Sequence, residues 1–212
     1  MGRKMIEAAE VHRPNANVER RWATMHSFLG WLESTRWSVS ILESLWVWPL
    51  LESAHVLTLM AFVGTAVMMD LRFLGVTFKS VPVSEFTRRM LPWTRGSFAV
   101  MALTGGLIFY AAPVRYCHNV FFRIKVVLLV AAGVNIWWFH MRTNRDVEEW
   151  DCDPIPPRTV RIAGATSLFV WAFIVVSGRL IAYNWFDCGI QPQSDFVNWI
   201  SGCILPTDLL TD

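Results

Sequence analysis

The stretch that decides the fold is LWVWPLLESAHVLTLMAFVGTAVMM, which runs from Leu45 to Met69 and is closed by Asp70 and Arg72. A helix needs about 20 predominantly apolar residues to cross a bilayer, because it rises about 1.5 Å per residue. This segment is long enough, and it carries Glu52 and His55 as ionisable groups. It predicts a transmembrane helix with two polar side chains inside the membrane.

Three more apolar segments follow along the chain. Hydrophobic residues make up 54% of the sequence and charged residues 17%, whereas soluble domains average about 25% charged residues. We therefore predict an all-α integral membrane bundle of four transmembrane helices. The further segments are Gly96–Ala112, which is short, Asn119–Phe139 and Ala163–Tyr183.

The remaining sequence divides into tails and loops. Apolar residues recur at roughly helical spacing over Met25–Ser40, which predicts an amphipathic helix lying on the membrane surface. Ser84–Leu91 predicts a second, shorter surface helix. The predicted organisation is an N-terminal tail with an interfacial helix (1–44), a transmembrane domain (45–184) and a C-terminal tail (185–212).

Four spans place both termini on one side of the membrane, which we call side A; side B holds the loops after spans one and three. More basic residues lie near the membrane on side B, which favours side B as cytoplasmic and both termini as periplasmic. The basic N-terminal tail argues the other way. The side B residues are Arg72, Lys79, Arg88, Arg89, Arg95, Arg142, Arg145, Arg158 and Arg161; those on side A are Arg36, Arg115, Arg123 and Arg179.

The cysteine spacing contains no Cys-x-x-Cys or zinc pattern. Cys117, Cys188 and Cys203 fall on side A, and Cys152 falls on side B. In an oxidising compartment Cys188 and Cys203 are able to form a disulfide that fastens the tail. Free buried thiols are the alternative, and the sequence leaves both open.

Each predicted span carries a polar group at a similar level on its side A half, and buried ionisable groups in membranes usually face a bundle interior or a site. Arg123 and Lys125 are two residues apart, so only one of them faces inward; we expect Arg123 to snorkel to the interface. The predicted cofactor-binding layer is Glu52, His55, Tyr110, Lys125 and Arg179.

This layer has three interpretations. It suits an anionic or carbonyl group, such as a haem propionate, a quinone head group or a carboxylate, or it serves as a proton relay. It is equally explained by structural contacts, with a Glu52–Lys125 ion pair and His55 bonded within the core. One haem between His55 and His140 is disfavoured, because the two residues lie about 20 Å apart along the membrane normal.

A second polar cluster lies at side B. We interpret it as interfacial anchoring plus a salt bridge, with a docking or gating site as the alternative. Its members are Asp70, Arg72, Trp93, Asn135, His140, Trp150 and Asp151.

Several short motifs between Leu45 and Tyr183 resemble a family of bacterial multi-pass inner-membrane proteins that is catalogued as a domain of unknown function. The resemblance implies four helices and an inner-membrane location, and it implies no activity. Both tails depart from the family pattern. The motifs are Glu52-x-x-His55, Asp70-Leu71-Arg72-Phe73-Leu74-Gly75, Leu91-Pro92-Trp93-Thr94, Thr104-Gly105, Phe122-Arg123-Ile124-Lys125, Phe139-His140, Trp150-Asp151 and Gly178-Arg179.

Three functions stand as hypotheses. The first is an accessory or anchor subunit of a larger membrane complex, redox-linked, whose polar layer binds a quinone, lipid or cofactor head group. The second is a self-sufficient electron-transfer protein with haem or quinone, and the third is a small transporter or proton-conducting bundle. We expect membrane lipid and other subunits as partners and no nucleic acid. The sequence has no nucleophile triad, phosphate loop or metal motif, which disfavours an enzyme.

Overall fold

The computed structural model describes residues 16–142, 150–183, 185–186, 194, 196–197 and 200. Over these residues the chain is helical and contains no strand, as predicted. In this part of the chain the helices are α1 (Ala16–Glu33), α2 (Arg36–Glu43), α3 (Val47–Phe73), α4 (Val83–Ala111), α5 (Pro113–His118), α6 (Val120–Arg142) and α7 (Arg158–Leu180), with a 3-10 turn over Ile181–Tyr183.

Three helices are long and apolar enough to cross a membrane: α3, the Val120–Met141 part of α6, and Arg158–Tyr183, which contains α7. They coincide with the first, third and fourth predicted spans. A multi-pass membrane protein is built from helices of this kind, because a helix satisfies its own backbone hydrogen bonds within the hydrocarbon.

The second predicted span belongs to a longer helix than expected. The sequence predicted a surface helix over Ser84–Leu91 and a separate span from Gly96, whereas α4 continues unbroken through Pro92. Arg95 lies just before its midpoint, and α4 is not one of the three candidate spans. The fourth transmembrane helix therefore stays a prediction.

Two hydroxyl contacts fix how α3 and α4 lie against each other. The Thr94 hydroxyl donates to Thr65 Oγ1 over 2.9 Å, and His55 Nδ1 lies 3.0 Å from Thr104 Oγ1. Each pair of positions is ten residues apart on its helix, in opposite directions. The two helices therefore run antiparallel and stay in contact over about 15 Å.

The apolar core lies between these contacts and takes side chains from all four long helices. Phe62 of α3 packs edge-to-face on Trp171 of α7, with ring centroids 4.6 Å apart. Edge-to-face aromatic pairs add to the stabilisation from burial alone. The buried members are Phe62, Met101, Ala132, Val170, Trp171 and Ile174.

The predicted surface helix over Met25–Ser40 is two helices. The chain breaks between α1 and α2, where the Thr35 side chain accepts a hydrogen bond from the Ser38 backbone N–H and so caps α2. Such a cap satisfies a donor that the helix itself leaves free. Trp31 and Trp37 are exposed, and the position of α1 and α2 on a membrane surface stays a prediction.

Of the four cysteines, the structure describes two. Cys117 is partly buried, Cys152 is exposed, and both are free thiols. The Cys188–Cys203 disulfide and most of the tails that the sequence predicts lie outside the described residues.

Candidate functional site

His55 lies on the face of α3 that packs against α4. Its Nδ1 is 3.1 Å from the Met101 carbonyl oxygen and 3.0 Å from Thr104 Oγ1. A carbonyl oxygen only accepts hydrogen bonds, so Nδ1 carries the hydrogen and donates it. In the neutral ring, Nε2 is then an acceptor.

The His55 ring lies directly over Gly105 of α4. A Cβ at Gly105 would be 3.0 Å from His55 Cε1 and 3.4 Å from Nδ1. Real Cβ atoms hardly ever come this close to another heavy atom, so the ring has this position only because residue 105 has no side chain. Thr104 and Gly105 together hold the imidazole.

Lys125 of α6 reaches the same level from the other side of the bundle. Its ammonium is 3.5 Å from the point where a Cβ of Gly178 on α7 would lie, and it is near enough to interact electrostatically with His55. Lys125 is partly buried, and no residue within the described segments donates or accepts a hydrogen bond with its Nζ or pairs with it. The site thus combines a ring acceptor with an ammonium donor.

Glu52 was predicted to face inward with His55, and that orientation is wrong. Glu52 is exposed, and its carboxylate acts on Tyr116 of α5. Burial raises the pKa of Tyr116, and the Glu52 charge raises it further, whereas Arg115 lowers it. Within the described segments the ion pair is Glu85–Arg89, so the Glu52–Lys125 pair that the sequence allowed is not formed.

Tyr110 and Arg179 are also directed away from Lys125. The Tyr110 hydroxyl lies 2.5 Å from Thr35 Oγ1, and its carbonyl accepts from Ser38, so Tyr110 fastens α2 to the end of α4. Arg179 is exposed, lies over the ring of Tyr183 and donates to its hydroxyl over 3.2 Å. Each of these side chains bonds to a neighbour outside the predicted layer, Thr35 for Tyr110 and Tyr183 for Arg179. Cofactor binding by Tyr110 and Arg179 stays a prediction.

Arg123 does not simply snorkel to the interface, as the sequence led us to expect. It is partly buried, and its Nε donates to the Cys117 carbonyl over 2.7 Å. A second nitrogen donates to the Ile200 carbonyl. Arg123 therefore joins α6 to α5 and to the C-terminal segment, next to the end of the bundle that carries His55 and Lys125.

The chain matches the family of unknown function DUF6644 over residues 20–184. It belongs to this family. The match confirms the resemblance drawn from the sequence, and it contains the helices that carry His55 and Lys125. No curated protein and no solved structure matches the chain.

The DUF6644 domain has a second polar site at its side B end, built around Arg72. This side chain is fully buried, its Nε donates to the Val81 carbonyl over 3.0 Å, and its NH2 donates to the Asp153 carbonyl over 3.3 Å. Val81 precedes α4 and Asp153 precedes α7, so one guanidinium joins the two side B loops. The salt bridge that the sequence predicted within this cluster is not formed among its described members.

Close backbone approaches complete this side B cap of the DUF6644 domain. Gly75 has φ +69°, and a Cβ there would be 3.1 Å from the Pro154 carbonyl oxygen. Asp151 accepts from both the backbone N–H and the hydroxyl of Ser84 at the start of α4. Trp93 and His140, which the sequence placed in the cluster, are exposed. The cap therefore gives a structural role to Arg72 and Gly75 of the Asp-Leu-Arg-x-Leu-Gly motif.

Sequence reasoning did not assign Thr104, Gly105 or Gly178 to this site of the DUF6644 protein. The signal that identifies Thr104 is the antiparallel register, because Thr65 opposite Thr94 puts residue 104 opposite His55. That register exists only once α3 and α4 pack together, so it is not visible in the sequence of either helix.

Proposed function

We propose that this DUF6644 protein is an accessory subunit of a larger, redox-linked membrane complex and binds a quinone or quinol head group between His55 and Lys125. The observation that carries the proposal is the Lys125 ammonium, which lies partly buried against Gly178 with no acceptor in the described part of the chain. A charged group inside a membrane is costly and usually marks a site.

The donor and acceptor pattern favours a quinone over a phosphate lipid. A quinone oxygen accepts a hydrogen bond from the Lys125 ammonium, and the hydroxyl of a quinol donates to His55 Nε2. The phosphodiester group of a lipid also suits Lys125, but it has no hydrogen to offer the acceptor nitrogen of a neutral His55. Glycine at residue 178 lets the ammonium lie close to the backbone of α7, where a Cβ would be 3.5 Å from Nζ.

A single haem is the second cofactor that the sequence left open. His55 Nε2 suits an axial ligand, since its Nδ1 hydrogen is held by Met101 and Thr104. His140 of α6 is exposed at the side B end of that helix, so it is not a second axial ligand at the level of His55. We therefore favour the quinone.

We also propose that α4 is the fourth span. It is in contact with α3 from Thr65–Thr94 to His55–Thr104. At one end Ser84 is held by Asp151, and at the other end Ser38 donates to the Tyr110 and Ala111 carbonyls. A helix that lies beside α3 over this distance and reaches both ends of the bundle crosses the same layer.

With four spans, both termini lie on side A. We propose a bacterial inner-membrane location with side B cytoplasmic and both termini periplasmic. The exposed basic residues of side B support this orientation, because cytoplasmic loops carry an excess of Lys and Arg. Those that the structure describes as exposed are Lys79, Arg88, Arg89, Arg95, Arg158 and Arg161.

The exposed surface of α6 is where the subunit proposal places a partner. Only 6% of its apolar span is buried within the chain, compared with 33% for the span that contains α7. Ile136 and Trp137 are exposed next to the end of this helix. A partner helix or lipid therefore covers most of α6, and co-purification tells which.

The direct test extracts the protein into polymer nanodiscs without detergent and measures bound quinone per chain by mass spectrometry. We expect about one quinone per chain for the wild type, a loss of at least tenfold for Lys125→Met, and retention for Lys125→Arg. Val127→Met is the matched control, because residue 127 is exposed on the same helix. Equal quinone in the wild type and Lys125→Met would refute the proposal.

The same preparation tests the subunit proposal. Chains that co-purify at fixed stoichiometry support it, and a protein that purifies alone from native expression contradicts it. An absorption spectrum recorded on the sample separates quinone from haem, since only haem gives a Soret band, and Lys125→Met is expected to leave such a band unaltered.

A further inference from the structure

Asp70 is a buried ionisable side chain of α3. It lies at the opposite end of the bundle from His55. It is only 6% exposed. Its Oδ2 is buried and has no hydrogen-bond partner within the described segments. The hydroxyl of Ser167 on α7 is the side chain that interacts with the carboxyl.

The surroundings of Asp70 are closely packed and apolar. A Cβ on Gly164 of α7 would lie 3.1 Å from the Asp70 carbonyl oxygen and 3.2 Å from Phe73 Cβ. Phe73 in turn stacks on Phe139 of α6, with centroids 5.2 Å apart. An ionised carboxylate in such a place needs a cation or several donors, because burying an unpaired charge is very costly.

Among the described residues, no cation pairs with Asp70. Arg72 is the nearest in sequence, and its guanidinium donates to the Val81 and Asp153 carbonyls. Glu85 and Arg89 of α4 pair with each other, and Asp151 accepts from Ser84. The other titratable groups that the structure describes on the side B elements are exposed: Lys79, Arg88, Arg95, His140, Cys152, Asp153, Arg158 and Arg161.

We infer that Asp70, beside Ser167, is a binding site for one exchangeable proton at the side B end of the bundle. In the protonated carboxyl no charge is buried. The Ser167 hydroxyl is the side-chain group that interacts with this carboxyl. The proton is taken from water at side B and returned to it, so no other reactant is needed.

Exchange takes place with side B alone. Between Asp70 and the His55 level lie Phe62 and Trp171, packed edge-to-face in the apolar core. Thr65 and Thr94, which lie beside this core, bond to each other and to their own helix carbonyls, so their hydroxyl hydrogens are already used. The site therefore loads and releases a proton without conducting it.

The test is infrared spectroscopy of the full chain in nanodiscs, with carbon-13 in the aspartate carboxyls. We expect a protonated carboxyl band at neutral pH that disappears in Asp70→Asn, moves to higher frequency in Ser167→Ala, and is lost reversibly at alkaline pH. Absence of the band from the wild type at neutral pH, or its persistence in Asp70→Asn, would overturn the inference.

Two further measurements test whether the infrared band reports a proton on Asp70. Wild-type protein alone decides whether the band exists, so a folding defect in a variant cannot hide the answer. Loss of the band on adding sodium at constant pH would show a metal-cation site and overturn the proton assignment. Lys125→Met is expected to leave the band unaltered, so failure of the quinone proposal and failure of this inference are distinguishable.

Discussion

His55 Nδ1 and Thr104 Oγ1 are 3.0 Å apart across the α3–α4 interface, and the Thr104 hydroxyl itself donates to the Val100 carbonyl over 2.9 Å. The threonine oxygen therefore accepts from the histidine while its hydrogen is used within its own helix. This arrangement fixes the orientation of the His55 ring and leaves Nε2 as the acceptor. It also connects the stability of two helices to the geometry of the proposed site.

We expect Thr104→Val to lower the free energy of unfolding by about 1 kcal/mol, since it removes one hydrogen-bond acceptor from the buried imidazole. Thr104→Ser keeps the oxygen and is expected to stay within about 0.5 kcal/mol of the wild type. Thermal unfolding in nanodiscs, followed by tryptophan fluorescence, measures both. Equal losses for valine and serine would mean that the hydroxyl oxygen of Thr104 is not what decides the stability.

Gly105→Ala is expected to destabilise the bundle by about 1–3 kcal/mol, because the new Cβ would lie 3.0 Å from His55 Cε1 and must displace the ring. Gly106→Ala is the matched control in the same helix, since nothing lies within 4 Å of a Cβ there. Alanine is favoured over glycine in a helix by about 1 kcal/mol, so the control stays equal or gains. If both variants behave alike, His55 does not lie over residue 105.

Gly178→Ala tests the space at the proposed quinone site without affecting the stability of the fold. Its Cβ would lie 3.5 Å from the Lys125 ammonium, an ordinary contact distance, so unfolding is expected to be unaffected. The methyl group occupies the space proposed for the quinone ring, and we expect quinone content per chain to decrease severalfold. Gly133→Ala, open on α6, serves as the control, and an unaltered quinone content in Gly178→Ala would argue against binding at this position.

Arg72→Ala is expected to release the side B cap. The substitution leaves two carbonyl acceptors without their donor and empties a fully buried volume, which together cost about 3 kcal/mol or more. Hydrogen exchange should then accelerate in residues 74–82 and 150–157. Arg95→Ala, at an exposed position, should leave exchange as it is; exchange that rises equally in both variants would contradict a specific role for Arg72.

Cysteine labelling tests the fourth span. A membrane-impermeant maleimide should reach Cys117 from side A and an introduced Lys79→Cys from side B, because α4 lies between them. Burial raises the pKa of the Cys117 thiol, and Arg123 opposes part of that rise, so labelling of Cys117 should be slow at neutral pH and accelerate as the pH increases. Labelling of both positions from one side would show that α4 does not cross.

The sequence predicted the helical fold and three of the long helices because their apolar runs are an averaged property of many residues. It also predicted that His55 and Lys125 share a level, which follows from the rise per residue. It did not predict the outward orientation of Glu52, Tyr110 and Arg179. Those orientations depend on helix rotation and on nearer partners such as Thr35 and Tyr183, which only the packed structure brings close.

The break between α1 and α2 and the continuity of α4 through Pro92 were missed for a related reason. Thr35 caps α2 and also contacts the Tyr110 hydroxyl of α4, so the start of α2 is fixed both by a local cap and by a residue distant in sequence. Pro92 lies in a helix that is held at both ends, by Asp151 and by Ser38. Propensity is a weak guide where tertiary contacts of this kind are present.

The edge-to-face packing of Phe62 on Trp171 has an electrical consequence. A membrane voltage falls across the part of a protein that contains neither water nor mobile charge, and in the proposed four-span arrangement that part is the aromatic core. One charge moved through a drop of 100 mV gains about 2.3 kcal/mol. Because Lys125 and Asp70 lie on opposite sides of this insulating layer, each is held near the potential of its own compartment, and occupancy of neither site should respond to energisation of the membrane.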